Sequence, residues 1–496
     1  MGGFFMFISV NSACIEGIQG IPLNVEVSAT TGLPQETMIG LPDTVVKESK
    51  SRIKSAIQLA GFSFPAMSYV INLSPSDVIK RTLSMELAIS AALLQVTNQI
   101  KLNFNYCYIG SLSLDGKVIG VKHILSMIYH YPNWKQTTFV IPKENLNELQ
   151  ALSGLNHIPI GHLTELLSLE SMPQLTMPMT PPSSQSATQS FDAIHGHDAI
   201  KKACAYSIIG GHPMLLIGSP GIGKTMLIDH MKTLLPNMSH YQSIENACIQ
   251  SFIEPHFEFT TTPPFRAPHH SISYAGMLGG KNPPQPGEIT RANHGILFLD
   301  ELGEYQRSIL DTLREPLEAH CIQVSRAGSS ITYPANFLLI AAMNPCYCGY
   351  YFDQTHICTC SPQHIKRYWQ KISQPLLDRI SICCILSKPK QSQSSIFHRD
   401  LVAMIDTGTA IASKRNPDKK RNQLLSHHEL LEVFNIHDNA QSQLDAFIDS
   451  QQLSMRGQLR VKKLTRTIAD ANASNTIKKE HALHAIQLSQ HHQLPN

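Results

Sequence analysis

Gly218-Ser219-Pro220-Gly221-Ile222-Gly223-Lys224-Thr225 has the spacing G-x-x-x-x-G-K-[ST] in full. An apolar run, 213–217, leads into it and a helically spaced stretch, 226–235, leads out. The order strand, glycine-rich loop, helix is the context this motif requires, and a chance glycine turn would lack it. Gly218, Gly221 and Gly223 let backbone amides turn inward around phosphate oxygens at the positive end of a helix, with Ser219 and Ile222 completing the loop. Lys224 is expected to neutralise the β- and γ-phosphates of ATP, and the Thr225 hydroxyl to ligate Mg²⁺.

Working outward, the apolar run 296–299 ends in Asp300-Glu301. Two acids closing a buried strand are costly unless they work at the strand's carboxyl edge. Asp300 then belongs to the Mg²⁺ shell, and Glu301 polarises the attacking water. A third strand, 337–342, leads to Met343-Asn344-Pro345, where an amide can orient that water or sense the γ-phosphate; a plain Asn-Pro turn is the alternative. Short apolar strands alternating with helices over 191–395 predict an α/β core with a parallel sheet. The remainder, 396–496, reads as helical and ends in a polar, His-rich tail. Upstream, strand-like stretches at 23–28 and 69–73 mix with helical ones at 45–59 and 87–96, which predicts an α+β domain over 1–170. Between the two parts, 171–190 holds four prolines, eight Ser/Thr and no charge, and is read as a linker.

The composition narrows the function classes. The 496 residues are 42% hydrophobic and 16% charged, which excludes a disordered chain and a long coiled coil. Forty basic against thirty-seven acidic residues leave a net charge of +3, so any nucleic-acid contact must come from local loops or a ring channel. No uncharged apolar run reaches about 18 residues, and the apolar start lacks the basic flank of a secretory signal. A cytoplasmic protein without membrane contact is expected, with Met1 or Met6 as its start. Of eleven cysteines, Cys346, Cys348, Cys358 and Cys360 crowd together as two C-x-C pairs. Four such thiolates suit a closed, structural Zn²⁺ site, with His356 able to replace one; reduced, unliganded thiols are the alternative.

Further motifs extend the pattern along the chain: Gly40-Leu41-Pro42-Asp43, Glu48, Pro65, Asn72-Leu73-Ser74-Pro75, Pro264-Phe265-Arg266-Ala267-Pro268-His269-His270-Ser271, Pro286-Gly287-Glu288-Ile289, Pro375-Leu376-Leu377-Asp378-Arg379, and 453–470. With the nucleotide motifs, they make the chain resemble AAA+ ATPases of the magnesium-chelatase type, in the ComM/YifB-like family. The resemblance implies a sensor role for Asn344 and an arginine finger at Arg379 that reaches a neighbour's ATP. Such fingers are worth ~10³–10⁵ in rate. It also implies a second sensor at Arg456 in a C-terminal helical lid, with Arg460 in reserve, and an adenine pocket lined at Ile194 and Gly196. Ser381 stands where the family usually has Asp.

The same resemblance implies a homohexamer acting as a helicase on single-stranded and branched DNA. Its task would be to promote branch migration while transforming DNA is integrated by homologous recombination. Two inserted hairpins, at about 271–289 and 323–333, would then face the pore, with Lys281, Arg291 and Arg326 on phosphates. A chelatase-type motor that remodels a protein partner is the second reading. The third is a Lon-like protease, because the N-terminal domain resembles the Lon-protease fold with Ser84 and Lys122 in the places of a Ser–Lys pair. Thr82 and Leu83 would crowd an oxyanion hole there, so a non-proteolytic domain is expected.

Overall fold

A computed structural model describes residues 5–179, 183, 190–254, 257–280, 285–326, 329–387, 396–489 and 494–495. The chain opens with a long antiparallel hairpin, β1 (Phe5–Glu16) and β2 (Gln19–Thr30). Leu23, Val25, Val27 and Ala29 alternate inward along β2, as a half-covered strand requires. β3 (Gln35–Ile39), β4 (Ser68–Ser74) and β5 (Tyr106–Tyr108) follow, then a small hairpin, β6 (Ser111–Leu112) and β7 (Val118–Ile119). β8 (Thr138–Pro142), β9 (Asn156–Ile160) and β10 (Leu175–Thr176) complete an eight-stranded sheet of order β10-β9-β8-β5-β1-β2-β4-β3. Thus two residues of the stretch read as a linker pair with β9 as an edge strand, while 180–182 and 184–189 lie outside the described residues.

One face of this sheet buries the helices Thr44–Leu59 and Glu86–Val96. The second helix is apolar all round and carries a buried acid, Glu86, which is satisfied by Arg52 at 2.7 Å, by Ser111 Oγ and by the Leu112 amide. The other face buries Ala13, Cys107, Phe139 and Ile141 against the helix Ile124–Tyr129 and against Ile244, Ala247 and Cys248 of a later helix, His240–Ser251. Every residue of β8 is buried because both faces of the sheet are covered. The two parts of the chain therefore share a core.

The later part is built on a five-stranded, wholly parallel sheet of order β12-β13-β16-β11-β17. Its strands are β11 (Met214–Gly218), β12 (Phe265–Arg266), β13 (Ile296–Leu299), β16 (Leu338–Met343) and β17 (Ile382–Leu386). A separate hairpin, β14 (Cys321–Arg326) and β15 (Ser329–Pro334), stands between β13 and β16 in sequence. Ile331 and Tyr333 of this hairpin pack on Ile18 of the β1–β2 turn and on Ile249. Register places Ile217 beside Met343, and Leu299 beside Ala341, so β11, β13 and β16 end at one edge.

Among the described residues five α-helices follow: His398–Arg415, His427–Val433, Asp438–Ser450, Met455–Ala471 and Lys479–Leu488. They are fixed to the core by a buried polar network. His212, just before β11, bonds Thr467 Oγ1 at 2.7 Å and Gln423 Oε1 at 3.0 Å. Asn422 donates to Thr467 and Asp470, and Asp470 is paired with Arg415 and Arg466. Burial pushes His212 down to about 3, so it is neutral in the fold.

Candidate nucleotide site

The loop after β11 turns through two left-handed residues, Gly221 at φ 74° and Gly223 at φ 95°, a conformation that side chains resist. The helix Lys224–Met231 starts immediately after it. Lys224 Nζ donates to the Gly218 and Ser219 carbonyls at 2.6 and 3.1 Å and to Asn344 Oδ1 at 3.0 Å. Burial lowers the Lys224 pKa, while the Asp300 and Glu301 carboxylates hold it up. Thr225 Oγ1 donates to Asp300 Oδ2 at 2.8 Å, and the other Asp300 oxygen accepts the Glu301 amide at 2.9 Å. Three strand ends thus deliver a lysine, a hydroxyl, a carboxylate and an amide to one point. The hydroxyl–carboxylate pair is the hard-oxygen donor set that Mg²⁺ takes.

Glu301 sits at φ 51° with its carboxylate 57% exposed, and its Oε2 lies 3.3 Å from His270 Nδ1. His270 packs on His269 and Tyr305, whose hydroxyl donates to the Pro268 carbonyl. His270 thus gives Glu301 a partner at 3.3 Å, while the Glu301 carboxylate still lies close enough to Lys224 to hold its pKa up. The segment that carries Ile194 and Gly196 borders the P-loop helix, with Phe191 against His230. Ile194 itself is buried, its carbonyl accepts from Lys201 Nζ at 2.6 Å, and Gly196 is left-handed.

The two arginines lie elsewhere, and together. Arg379 Nη2 is 2.8 Å from Glu318 Oε1 and the guanidinium is 11% exposed; Arg456 Nη2 is 3.7 Å from the same oxygen and is 63% exposed. Arg379 precedes Ser381 and Ile382, whose amides both bond the Pro213 carbonyl at the start of β11. The pair therefore occupies the amino edge of the sheet, opposite the P-loop, and Arg456 joins Arg379 rather than its own chain's Lys224. Arg460, the reserve candidate, is buried and donates to the Leu377 carbonyl at 3.2 Å, a structural role.

Cys346, Cys348, Cys358 and Cys360 bring their four sulfurs within 4.8 Å of one another. The closest pairs are 3.3, 3.5 and 3.7 Å apart. Four Zn–S bonds of about 2.3 Å in a tetrahedron set sulfur spacings of about 3.8 Å, so the residues fit a metal ion. Burial would raise the Cys348 thiol, but amides of Tyr350 and Thr359 and the neighbouring thiols bring it down to about 6. His356 does not join them; it faces Asp353 and the Tyr350 ring.

The expected phosphate contacts divide three ways. Lys281 lies outside the described residues. Arg291 is engaged by Glu288 at 2.6 Å, an acid that also holds Arg266 through two bonds, so it presents no free cation. Arg326 ends β14, opposite Ser329. Ser84 and Lys122 both line a cavity of about 680 Å³ between the N-terminal sheet, Phe252 and Ile331. Ser84 is buried and its hydroxyl donates to the Ala13 carbonyl at 2.8 Å, which turns it away from nucleophilic use. Sequence reasoning passed over Asp353 and Glu318, and gave His270 no role beyond its place in a motif. Each is an ordinary polar residue in a loop or short helix, marked only by what the fold sets beside it.

Comparison with known families finds three matching models: magnesium chelatase, subunit ChlI, over 190–394; subunit ChlI of Mg-chelatase over 25–145; and magnesium chelatase, subunit ChlI C-terminal, over 399–489. The uncharacterized protein YifB of Escherichia coli (strain K12) is 34% identical over 497 residues, covering 96% of each chain. The competence protein ComM of Haemophilus influenzae is 33% identical over 499 residues, again covering 96% of each. The magnesium-chelatase 38 kDa subunit of Cereibacter sphaeroides is 28% identical over 174 residues, 31% of this chain and 52% of that one.

Proposed function

This chain belongs to the magnesium chelatase-type AAA+ family that includes YifB and ComM, and on that premise we propose that it is an ATP-hydrolysing, ring-forming DNA motor. One observation carries the ATPase reading: Lys224, Thr225, Asp300 and Asn344 converge by hydrogen bonds at the carboxyl edge of a parallel sheet. In this reading Lys224 and the loop amides bind the phosphates, Asn344 fixes Lys224, and Glu301 takes the proton of the attacking water once it leaves His270. Thr225 and Asp300 would hold Mg²⁺, which supplies charge to the β- and γ-phosphates when bound. Arg379, with Arg456 beside it, serves the neighbouring subunit of a homohexamer, because its own P-loop lies at the other edge. The four cysteines hold a structural Zn²⁺.

The DNA role rests on the relative named competence protein ComM. It is a helicase activity that promotes branch migration as transforming DNA is integrated by homologous recombination. The hairpin β14–β15 and the stretch that carries Lys281 would meet the strand. A cytoplasmic place follows from that role, and no described helix is long and apolar enough to cross a membrane. The magnesium-chelatase relatives favour a second reading, a motor that remodels a protein partner. ATPase rate with and without single-stranded and forked DNA separates the two. Stimulation and salt-sensitive binding are expected; a rate indifferent to DNA, with no salt-sensitive binding, turns the assignment to the protein-remodelling class.

A further inference from the structure

The segment between the two C-x-C pairs does more than close a metal site; it lies against the P-loop. Asn344, the partner of Lys224, is followed at once by Pro345, whose carbonyl accepts the buried Trp369 Nε1 at 3.0 Å, and by Cys346. From Cys348 the chain runs out over the nucleotide loop. Gly349, left-handed at φ 84°, lies so close to Pro220 that a Cβ there would fall 2.5 Å from the proline Cδ. Asp353, 7% exposed, accepts Ser219 Oγ at 2.8 Å on one carboxylate oxygen. Its other oxygen accepts the Thr355 amide and hydroxyl, both at 2.7 Å, and the His356 amide at 3.0 Å. The chain then returns to Cys358 and Cys360, where the Cys348 amide donates to Cys360 Sγ at 3.4 Å.

We propose that this segment is a clamp on the P-loop, and that Asp353 is the positioning residue through which occupancy of the thiolate site sets nucleotide affinity. The proposal rests on reading the P-loop as a nucleotide site. Its physical basis is preorganisation. The Ser219 carbonyl is one of the groups that receives Lys224 Nζ, and Ser219 itself is held from above by Asp353. Fixing Ser219 before nucleotide arrives removes an ordering cost from binding. Tyr351 and Ile357 of the clamp are exposed, and its two ends come together at the four sulfurs, with the Tyr350 ring on His356 beside them. A bound metal ties the two ends together through its four sulfur ligands, and metal loss removes that tie. The carboxylate charge is already satisfied by three bonds within the clamp and one from Ser219, and it acts by holding the loop.

The test measures ADP binding by calorimetry, with Mg²⁺ present, in the full chain. Protein is compared as loaded with one zinc and after stripping by chelator, with the chelator removed and Mg²⁺ restored; zinc is measured in each sample. Stripping the wild type, Asp353→Ala and Ser219→Ala should each weaken ADP binding about two- to tenfold, the range for one lost hydrogen bond. The decisive arm is Asp353→Ala with and without zinc. Its affinity should not fall further on stripping, because the link is already cut, and adding Ser219→Ala to it should cost nothing more. Wild-type affinity in Asp353→Ala, tighter binding, an equal loss on stripping in wild type and variant, or a chain that takes up no zinc would each overturn the proposal. A wild type that binds no ADP, matching a Lys224→Ala control, would instead remove the nucleotide reading beneath it.

Discussion

Replacing Arg379 with Ala tests whether hydrolysis is completed by a neighbour. Register pairs Ile382 with Met214 and Leu386 with Gly218, so β17 and β11 run side by side from the finger's edge to the P-loop's edge. Four strand steps at ~3.3 Å separate those edges by at least about 13 Å. Arg379 is moreover held at its own edge by Glu318 and the Pro375 carbonyl. Its guanidinium cannot meet the phosphates of its own chain, and a ring is needed to bring it to any. Arg379→Ala should bind ATP almost normally and turn it over ~10³-fold or more slowly. Mixing supplies the decisive measurement. When Arg379→Ala subunits are mixed at random with Lys224→Ala subunits, a working interface needs an intact P-loop from the first and an intact finger from the second. At equal proportions about a quarter of the interfaces qualify, because each interface draws its two halves independently from a head-to-tail ring. Activity should therefore rise from near zero at either pure end to about a quarter of the wild-type rate per subunit, with its maximum at the equal mixture. ATPase rate is read across the mixing series, with mixed rings verified by tagged subunits. A flat, inactive series would mean that Arg379 acts within its own chain, and the edge-to-edge reasoning would be wrong.

Lys224→Ala should lose nucleotide binding while Glu301→Gln binds and fails to turn over; equal, weak binding by both would remove these roles. His270→Ala should raise the DNA-free turnover, since the imidazole 3.3 Å from Glu301 Oε2 occupies a carboxylate oxygen that the attacking water needs; a lower rate would make His270 an aid to the base instead. Freshly purified, reduced protein should carry about one zinc per chain, and Cys346→Ser with Cys358→Ser should lose it together with some thermal stability. Acid should weaken the junction between core and C-terminal helices. His212 is held to about 3 in the fold against an ordinary 6.5, so below pH 6.5 the unfolded chain takes up a proton the fold refuses. Stability falls by about 1.4 kcal/mol per pH unit from this group as pH drops from 6.5 toward 3. His212→Gln should show a smaller fall in Tm between pH 7 and 5, and an unchanged fall would exclude His212 as the source.

How far the sequence reads depends on whether neighbours in space are also neighbours in pattern. The P-loop, Asp300 and Asn344 were legible because each follows an apolar run, and parallel strands bring their carboxyl ends together whatever the helices between them do. The cysteine set was legible by spacing. The meeting of Arg456 with Glu318 beside Arg379 was not legible, because it depends on how the C-terminal helices dock, and that docking is decided by a scattered set: His212, Asn422, Thr467 and Asp470. Arg291 was read as a phosphate contact, and its pairing with Glu288 was not seen, because an acid three residues away gives no signal beyond ordinary helix spacing. Asp353 lies in a polar loop where an aspartate is unremarked, and only the fold sets it on Ser219. The edge strand β10 was hidden inside a proline-rich stretch, since two residues are too few for any periodicity to show.

The helix His240–Ser251 has a consequence for anyone who cuts this chain. It belongs by sequence to the ATP-binding part, yet Ile244, Ala247 and Cys248 fill the underside of the N-terminal sheet beside Phe139 and Ile141. His123 also stacks on Phe252 at 3.8 Å and bonds the Ser251 carbonyl at 3.1 Å. Neither half owns this seam. A truncated ATPase fragment starting at residue 190 would leave those three side chains facing water, and the excised N-terminal half would bare its own sheet. Swapping N-terminal halves between relatives would require this helix to travel with the sheet, so the natural unit of exchange here is discontinuous along the gene.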